Sequence, residues 1–356
     1  MTYRAMEEKK ELSGIESGEL CDTLFFQGNG SSQTQALKYV GNQKITATTG
    51  ETMWCTGRNN LSPLNVIYKL HIGVEIADVN LKPFDSYLSY FNPIKILGSA
   101  ITWGSNWYYG FHFTSSIPKT ESVAFHAPIL SQVSIGQETD MQSHRRKYDS
   151  WLVSKDKTQG LILWGVSRGT AATFCAFAKE KYPEVKLVVL EGAIDSVQNV
   201  IPGRVTNTIP VDFVSKKITS AITSGFSFFK KYNLMQYDPQ GTSPLTSVEE
   251  FPEEIPIVFI TSKKDTVVTC KNTKNIAQTL ADKGKNDVYL LELERSSHPN
   301  YMFDDVNDHD NYEAFIHAIY KKYNLKYDPD LAAKGERLVQ ECSLHELKSS
   351  NTMSCN

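Results

Sequence analysis

Short runs of apolar residues, each about the length of a β-strand, recur along this 356-residue chain. They are rich in β-branched and aromatic residues and are apolar at consecutive positions, which is typical of strands covered on both faces. Amphipathic helical patterns lie between several of them, at 137–151, 170–181, 273–283 and 311–323. This alternation predicts an α/β fold with a doubly wound, mostly parallel sheet. The apolar runs occupy residues 23–26, 122–129, 161–166, 185–190, 255–261 and 288–293.

Two stretches interrupt the alternation. Residues 45–118 are unusually aromatic and have no clear periodicity, so we interpret them as an insertion. Residues 193–254 form a second interruption, and their central part, 213–231, is apolar but contains several lysines. As a helix, this part would bury one side against the rest of the protein and turn its lysines towards water or an anionic interface. The side chains expected to be buried are Phe213, Ile218, Ile222 and Phe226.

The length fits two domains or one α/β domain with insertions. From the strand and helix pattern we expect a single domain over residues 1–327, followed by a polar tail at 328–356 that we expect to be partly mobile. With 37 basic and 40 acidic residues, the chain has no strong positive charge, so nucleic acid is not an expected partner. The six cysteines include no C-x-x-C pair, which fits a reducing compartment. No apolar signal segment or run of ~20 apolar residues is present. We therefore expect a cytoplasmic protein without a transmembrane segment, which leaves signal-independent export open.

The motif Gly165-Val166-Ser167-Arg168-Gly169 stands between an apolar run and an alanine-rich helical pattern. A sharp turn from strand to helix holds a serine in a strained backbone conformation. Side chains two positions before and after it would clash, so glycine is needed there. The motif therefore predicts a nucleophile at Ser167, and the alternative is a tight turn with a buried serine.

In this motif and in the strands and loops after it, the sequence resembles the α/β-hydrolase superfamily of serine esterases and lipases. The resemblance implies an acid after a later strand, and Asp265 follows the run 255–261. It implies a histidine after the next strand, and His298 follows the run 288–293. Ser167, Asp265 and His298 are thus expected to be the catalytic triad at the carboxyl edge of the sheet.

Two other residues compete for these roles. Asp195 follows the strand before, from which some members of the superfamily draw the acid, and it remains an alternative to Asp265. His309 lies in the acidic segment 304–310 and is an alternative to His298, although its surroundings look like the start of a helix. This segment lacks the glycine and final glutamate of an EF-hand, so we do not expect calcium there.

The resemblance also implies an oxyanion hole made by two backbone N–H groups, those of Arg168 and Asn29. Asn29 lies in Gln27-Gly28-Asn29-Gly30, which is similar to the His-Gly-x-Gly loop of the superfamily with Gln27 in place of histidine. We expect the Arg168 side chain to pair with a nearby acid rather than to bind substrate. Glycine is absent at position 33, so the segment does not match a dinucleotide-binding fingerprint.

The predicted function is hydrolysis of a carboxylic ester or lipid-like acyl ester through an acyl-enzyme. The histidines have no zinc-binding spacing, and we expect neither a metal nor another cofactor. A peptidase, amidase or thioesterase with the same triad is an alternative within the enzyme class. A catalytically degraded hydrolase that serves as a binding protein is the alternative outside it. Residues 213–231 lie where this superfamily usually carries a cap, and we favour a cap helix packed on the core. A wall of the acyl site and a peripheral contact with a membrane surface are the alternatives. The sequence does not indicate an oligomeric state.

Overall fold

The fold is described by a computed structural model. It describes residues 18–19, 21–29, 53–55, 123–125, 135–154, 158–208, 212–231, 237–298, 301–302 and 304–344. The predicted aromatic insertion at 45–118 lies outside these residues, except for one short strand at Met53–Cys55. Within the described part, no helix has the length and apolar character needed to cross a membrane.

A parallel β-sheet forms the centre of the protein. Strand β1 pairs with β4, and the order continues through β5 and β6 to β7. The short strands β2 and β3 both pair with β1, and every pairing in the sheet is parallel. The strands are β1 (Cys21–Asn29), β2 (Met53–Cys55), β3 (Val123–Phe125), β4 (Gly160–Val166), β5 (Val185–Glu191), β6 (Ile257–Ser262) and β7 (Val288–Leu293).

Helices connect these strands and cover the sheet. The four predicted helical patterns are all present, with ends displaced by up to five residues. The largest displacement is at α6, which begins early because the Asp305 carboxylate caps the backbone N–H groups of Asn307 and Asp308. The helices are α1 (Glu138–Leu152), α2 (Arg168–Glu180), α3 (Val197–Thr208), α4 (Asp212–Lys231), α5 (Cys270–Asp282), α6 (Val306–Lys322) and α7 (Pro329–Cys342).

The sheet has a hydrophobic core on each face. Alternate residues of β4 separate between the two: Ile162 and Trp164 join one cluster, whereas Leu161 and Leu163 join the other. The first cluster contains side chains of α6 and α7, and the second contains side chains of α1, α2 and α5. Because both faces are covered by helices, the predicted doubly wound α/β fold is confirmed.

The C-terminal region differs from the prediction. Residues 329–342 form α7 rather than part of a polar tail, and this helix packs closely against α6. A Cβ atom on Gly335 would lie 1.9 Å from the carbonyl oxygen of Ala314, so only glycine permits this approach. Ala332 and Val339 are buried on the same face. The helix was not predicted because the apolar stripe of α7 is narrow and most of its residues are polar. The domain therefore extends beyond the predicted boundary at residue 327.

The segment between β5 and β6 contains α3 and α4. In α4, Phe226 packs against Tyr237 with ring centroids 5.8 Å apart. Phe228 is 54% exposed, and Lys216 and Lys217 are also exposed. Of the four side chains predicted to be buried on this helix, Ile222 and Phe226 are half-buried. Phe213 and Ile218 lie outside the side chains that the structure describes.

Candidate active site

The candidate site lies where parallel strands end at one edge of the sheet. Ser167 follows β4, Asp265 follows β6 and His298 follows β7. Carboxyl ends of parallel strands lie side by side, which is where α/β proteins bind ligands. The sequence prediction that these loops share an edge is therefore confirmed by the strand order.

Ser167 occupies the sharp turn between β4 and α2. Its backbone has φ 54° and ψ −121°, a strained conformation for a residue other than glycine. A Cβ atom on Gly165 would lie 2.8 Å from the carbonyl oxygen of Gly169, because α2 passes close to the end of the strand. The prediction that a side chain two positions before Ser167 would clash, so that glycine is needed there, is confirmed at Gly165.

Hydrogen bonds hold this turn in place. The Ser167 N–H donates to the carbonyl oxygen of Glu191 at 2.8 Å, at the end of β5. The Thr170 hydroxyl donates to the Ser167 carbonyl at 2.6 Å and accepts from the Ile194 N–H at 3.1 Å. The residue in the strained conformation is thus tied to the neighbouring strand and to the loop after that strand, so its backbone cannot relax independently.

Asp265 and His298 are hydrogen-bonded to each other. The distance from Nδ1 of His298 to Oδ2 of Asp265 is 2.7 Å, and both side chains are almost fully buried. The other carboxylate oxygen, Oδ1, accepts from the N–H groups of Val267 and Val268, each at 2.8 Å. These two bonds fix the carboxylate within its turn. A carboxylate can only accept, so Nδ1 of His298 is the donor in this bond.

Two further residues contact this pair, and sequence reasoning missed both. The hydroxyl of Tyr301 donates to Oδ2 of Asp265, the oxygen that also binds His298. Gly192, directly after β5, has φ +58°, and a Cβ there would lie 2.7 Å from the Tyr301 hydroxyl and 3.1 Å from His298 Nδ1. His298 therefore lies against Gly192. The preceding residue, Glu191, accepts the hydrogen bond from the Ser167 backbone N–H. Among the described residues, no hydrogen bond joins the Ser167 hydroxyl directly to the His298 ring.

Two aspartates of the acidic segment 304–310 hold the loop that carries His298. Asp308 accepts from the N–H groups of Glu294, Arg295 and Ser296 at 2.7–3.1 Å. Its Oδ2 also accepts from the Ser296 hydroxyl at 2.7 Å. Asp304 accepts from the N–H of Ser297 at 2.9 Å and from its hydroxyl. The acidic segment 304–310 thus binds backbone and hydroxyl groups of the loop that carries His298.

The alternative acid and base have other partners. Asp195 is buried, and its two oxygens accept from the amides of Asn199, Asn272 and Asn275 at 2.7–2.9 Å. It also accepts from the backbone N–H of Ser196 at 2.6 Å. His309 lies in the first turn of α6, where its Nδ1 bonds to the carbonyl of Met302 at 2.9 Å. The geometry favours Asp265 and His298.

The two residues expected to form an oxyanion hole lie at the ends of neighbouring elements. Arg168 is the first residue of α2, and Asn29 is the last residue of β1, the strand that pairs with β4. The buried guanidinium of Arg168 forms two bonds with Asp140, at 2.9 and 3.1 Å. The expected pairing of this side chain with an acid is confirmed. Within the part of the chain described, no group of three histidine, cysteine or acidic side chains could hold a metal ion.

The strand order and the helices on both sheet faces define a doubly wound α/β fold with a strained serine turn at the carboxyl edge of its parallel sheet. No protein-family model and no curated protein matches the sequence. Solved structures similar to the chain include an acylaminoacyl peptidase from Pyrococcus horikoshii, with 16% identity and a TM-score of 0.38. This match covers 55% of the chain and 29% of the peptidase, so the chain spans less than a third of its length.

Matches to two other similar structures cover different shares of each chain. An esterase from Pyrococcus furiosus is 11% identical with a TM-score of 0.38, and the match covers 57% of the chain and 68% of the esterase. A puromycin-hydrolysing peptidase from Mycobacterium tuberculosis is 14% identical with a TM-score of 0.39. That match covers 86% of the chain and 35% of the peptidase. None of these likenesses assigns an activity to this chain.

Proposed function

We propose that the protein is a serine hydrolase that cleaves carboxylic esters or lipid-like acyl esters through an acyl-enzyme. The observation that carries this proposal is the 2.7 Å bond between His298 Nδ1 and Asp265 at the sheet edge where Ser167 is held in its strained turn. A serine hydroxyl is hardly ionised at neutral pH and needs a base to become a nucleophile. The neutral ring of His298, with its tautomer held by Asp265, supplies such a base.

The reaction proceeds in two halves. In the first, His298 Nε2 takes the proton of Ser167 as its oxygen bonds to the acyl carbon, and the backbone N–H groups of Arg168 and Asn29 stabilise the oxyanion. The bond to the leaving alcohol then breaks, and His298 returns the proton to that alcohol. In the second half, water attacks the acyl-enzyme with the same base, which releases the acid and restores Ser167. Asp265 stabilises the imidazolium formed in each half.

A part of the proposal concerns the segment between β5 and β6. Its helix α4 occupies the position in which this fold carries a cap, and Phe226 packs on Tyr237 beneath it. We assign this segment to the acyl site. A partly apolar wall there favours an uncharged acyl chain over a charged acyl chain. Exposed Phe228, together with Lys216 and Lys217, gives α4 a surface suited to an anionic lipid interface.

Covalent labelling with a fluorophosphonate tests the nucleophile. The wild-type protein should be labelled, and Ser167→Ala should not. Ser143→Ala is the matched control, since Ser143 is a buried serine whose hydroxyl bonds to the Thr139 carbonyl within α1, and this variant should remain labelled. Folded wild-type protein that resists labelling would overturn the proposal and favour a binding protein on a degraded hydrolase fold.

A substrate panel tests the bond that is cleaved. The p-nitrophenyl esters, thioesters and anilides of the same acyl group differ only in the leaving atom. The proposal expects the highest kcat/KM for the esters. A preference for anilides would instead identify an amidase or peptidase, and a preference for thioesters would identify a thioesterase. In either case the triad would stand, and the ester assignment would be wrong.

A further inference from the structure

One carboxylate oxygen of the candidate acid serves two donors. Oδ2 of Asp265 accepts from His298 Nδ1 and from the hydroxyl of Tyr301. Tyr301 is completely buried, so no water competes for its hydroxyl. The space that the hydroxyl occupies depends on Gly192, where a Cβ would approach it to 2.7 Å. The tyrosine is thus built into the pair rather than lying beside it on the surface.

The hydroxyl of Tyr301 is the donor in its bond to Asp265, because a carboxylate oxygen can only accept. Burial raises the pKa of Tyr301 well above its ordinary value, and the charge and hydrogen bond of Asp265 raise it further. The negative charge of Glu191 acts in the same direction. A protonated phenol that donates to a carboxylate draws negative charge away from it.

We propose that Tyr301 is a positioning residue that lowers the proton affinity of His298 by sharing Oδ2 of Asp265. A carboxylate that also accepts a phenol bond stabilises the imidazolium less strongly, so the histidine remains neutral, and able to accept a proton, to a lower pH. The catalytic consequence rests on the proposed function, whereas the effect on the histidine does not.

The other charged groups near Asp265 have partners of their own or are exposed, so they do not take the place of Tyr301. Glu191, at the end of β5, is buried, and its Oε1 accepts from Trp164 and Tyr312 at 2.6 and 2.5 Å. Lys263 and Lys264 lie on the turn before Asp265 and are exposed, and Lys263 pairs with Glu294 at 2.5 Å. Tyr301 and His298 are the side-chain donors recorded for the Asp265 carboxylate in the part of the chain described.

The test is the pKa of His298, followed by NMR through the imidazole signal that disappears in His298→Gln. Tyr301→Phe removes the donor and keeps the ring, so the pKa of His298 should rise by about half a unit or more. Placing 3-fluorotyrosine at position 301 keeps the shape and strengthens the donor, so the pKa should fall. The second substitution tests the proposal even if Tyr301→Phe does not fold.

Tyr148→Phe is the matched control. Tyr148 is a buried tyrosine whose hydroxyl donates to the carboxylate of Glu184, on the other face of the sheet. Its substitution should leave the pKa of His298 unchanged. An unchanged pKa with either substitution at position 301, or a shift of the opposite sign, would overturn the proposal.

Fluorophosphonate labelling separates this proposal from the proposed function. If the wild type is labelled, Tyr301→Phe should react more slowly at pH values below the pKa of His298, by about threefold for a half-unit shift. If the wild type is not labelled, the hydrolase proposal fails, and the NMR titration still decides the role of Tyr301.

Discussion

Asp308, in the first turn of α6, accepts hydrogen bonds from both the backbone N–H and the hydroxyl of Ser296, two residues before His298. The bonds from this hydroxyl and from the N–H groups of Glu294, Arg295 and Ser296 outweigh burial and hold the pKa of Asp308 below its ordinary value. A carboxylate with a lowered pKa stabilises the folded state at neutral pH. It loses this effect as the pH falls through its ordinary value of 3.8 towards the lower folded value.

The first prediction concerns this carboxylate. Asp308→Asn keeps one acceptor and removes the charge, so it should lower the free energy of unfolding at pH 7 by about 1–3 kcal/mol. The difference from wild type should shrink at pH 3, which lies below the ordinary carboxylate pKa of 3.8, because the unfolded wild-type chain then binds a proton at this position. Denaturation by urea at both pH values measures it. Asp310→Asn, at an exposed position of the same helix, should change stability by less than about 0.5 kcal/mol.

The second prediction separates the two candidate acids. Asp265→Asn should leave the protein folded and reduce kcat by about 10³–10⁴-fold, because the amide cannot hold the required histidine tautomer. Asp195→Asn places an amide among the Asn199, Asn272 and Asn275 donors, so it should reduce stability more than kcat. Steady-state kinetics and thermal unfolding of both variants measure the contrast. Full activity of Asp265→Asn beside an inactive, folded Asp195→Asn would reverse the assignment.

The third prediction concerns the buried pair of Arg168 and Asp140. Arg168→Met leaves the Asp140 carboxylate buried without its cation and should reduce the free energy of unfolding by about 3–5 kcal/mol. The double variant Arg168→Met with Asp140→Leu removes both charges and should be less destabilised than the single variant. Urea denaturation of wild type, Arg168→Met, Asp140→Leu and the double variant gives the coupling energy. A double variant that loses the sum of both single effects would show that the two side chains act independently.

The fourth prediction concerns His144 in α1. Its ring stacks on Phe26 with centroids 3.9 Å apart, its Nδ1 lies 3.2 Å from the Tyr182 hydroxyl, and burial lowers its pKa to about 3. Between that value and 6.5, the unfolded chain binds a proton that the folded protein excludes. The protein should therefore lose about 1.4 kcal/mol of stability per pH unit from this group as the pH falls below 6.5. Between pH 7 and pH 5, the free energy of unfolding of His144→Phe should fall by about 2 kcal/mol less than that of wild type. Urea denaturation at the two pH values measures this difference.

The fifth prediction concerns the segment assigned to the acyl site. Replacing 213–231 by a short Gly-Ser linker should change the preference among p-nitrophenyl esters of graded chain length more than it changes thermal stability. Phe228→Ser is the control, because this side chain is 54% exposed and its substitution should leave the melting temperature almost unchanged. An unaltered chain-length preference after removal of the segment would contradict its assignment to the acyl site.

Local patterns were enough to predict six of the seven described strands and the serine turn. Gly165 and Ser167 lie within one strand–turn–helix unit, where neighbouring residues determine the backbone conformation. The choice between Asp195 and Asp265 could not be made in this way, because each follows a strand of the same sheet. What separates them is the set of amides that α3 and α5 bring to Asp195, which depends on tertiary packing.

The same reason explains what the sequence did not reveal around His298. Tyr301 lies only three residues further on, yet nothing in its neighbourhood indicates that its hydroxyl would bond to Asp265, on another strand's loop. Asp304 and Asp308 were recognised as a cluster, and their backbone partners became visible only once the loop was folded. Gly192 carried no local signal either, because the need for glycine arises from its contacts with His298 and Tyr301.

Helix α7 has a practical consequence for anyone who shortens this chain for expression or crystallisation. Gly335 brings the backbones of α7 and α6 together, and Ala332 and Val339 complete one wall of the interior behind β7. A version ending at residue 328, which the polar composition invites, would open that wall to solvent and favour aggregation. A version ending after residue 344 would keep it closed.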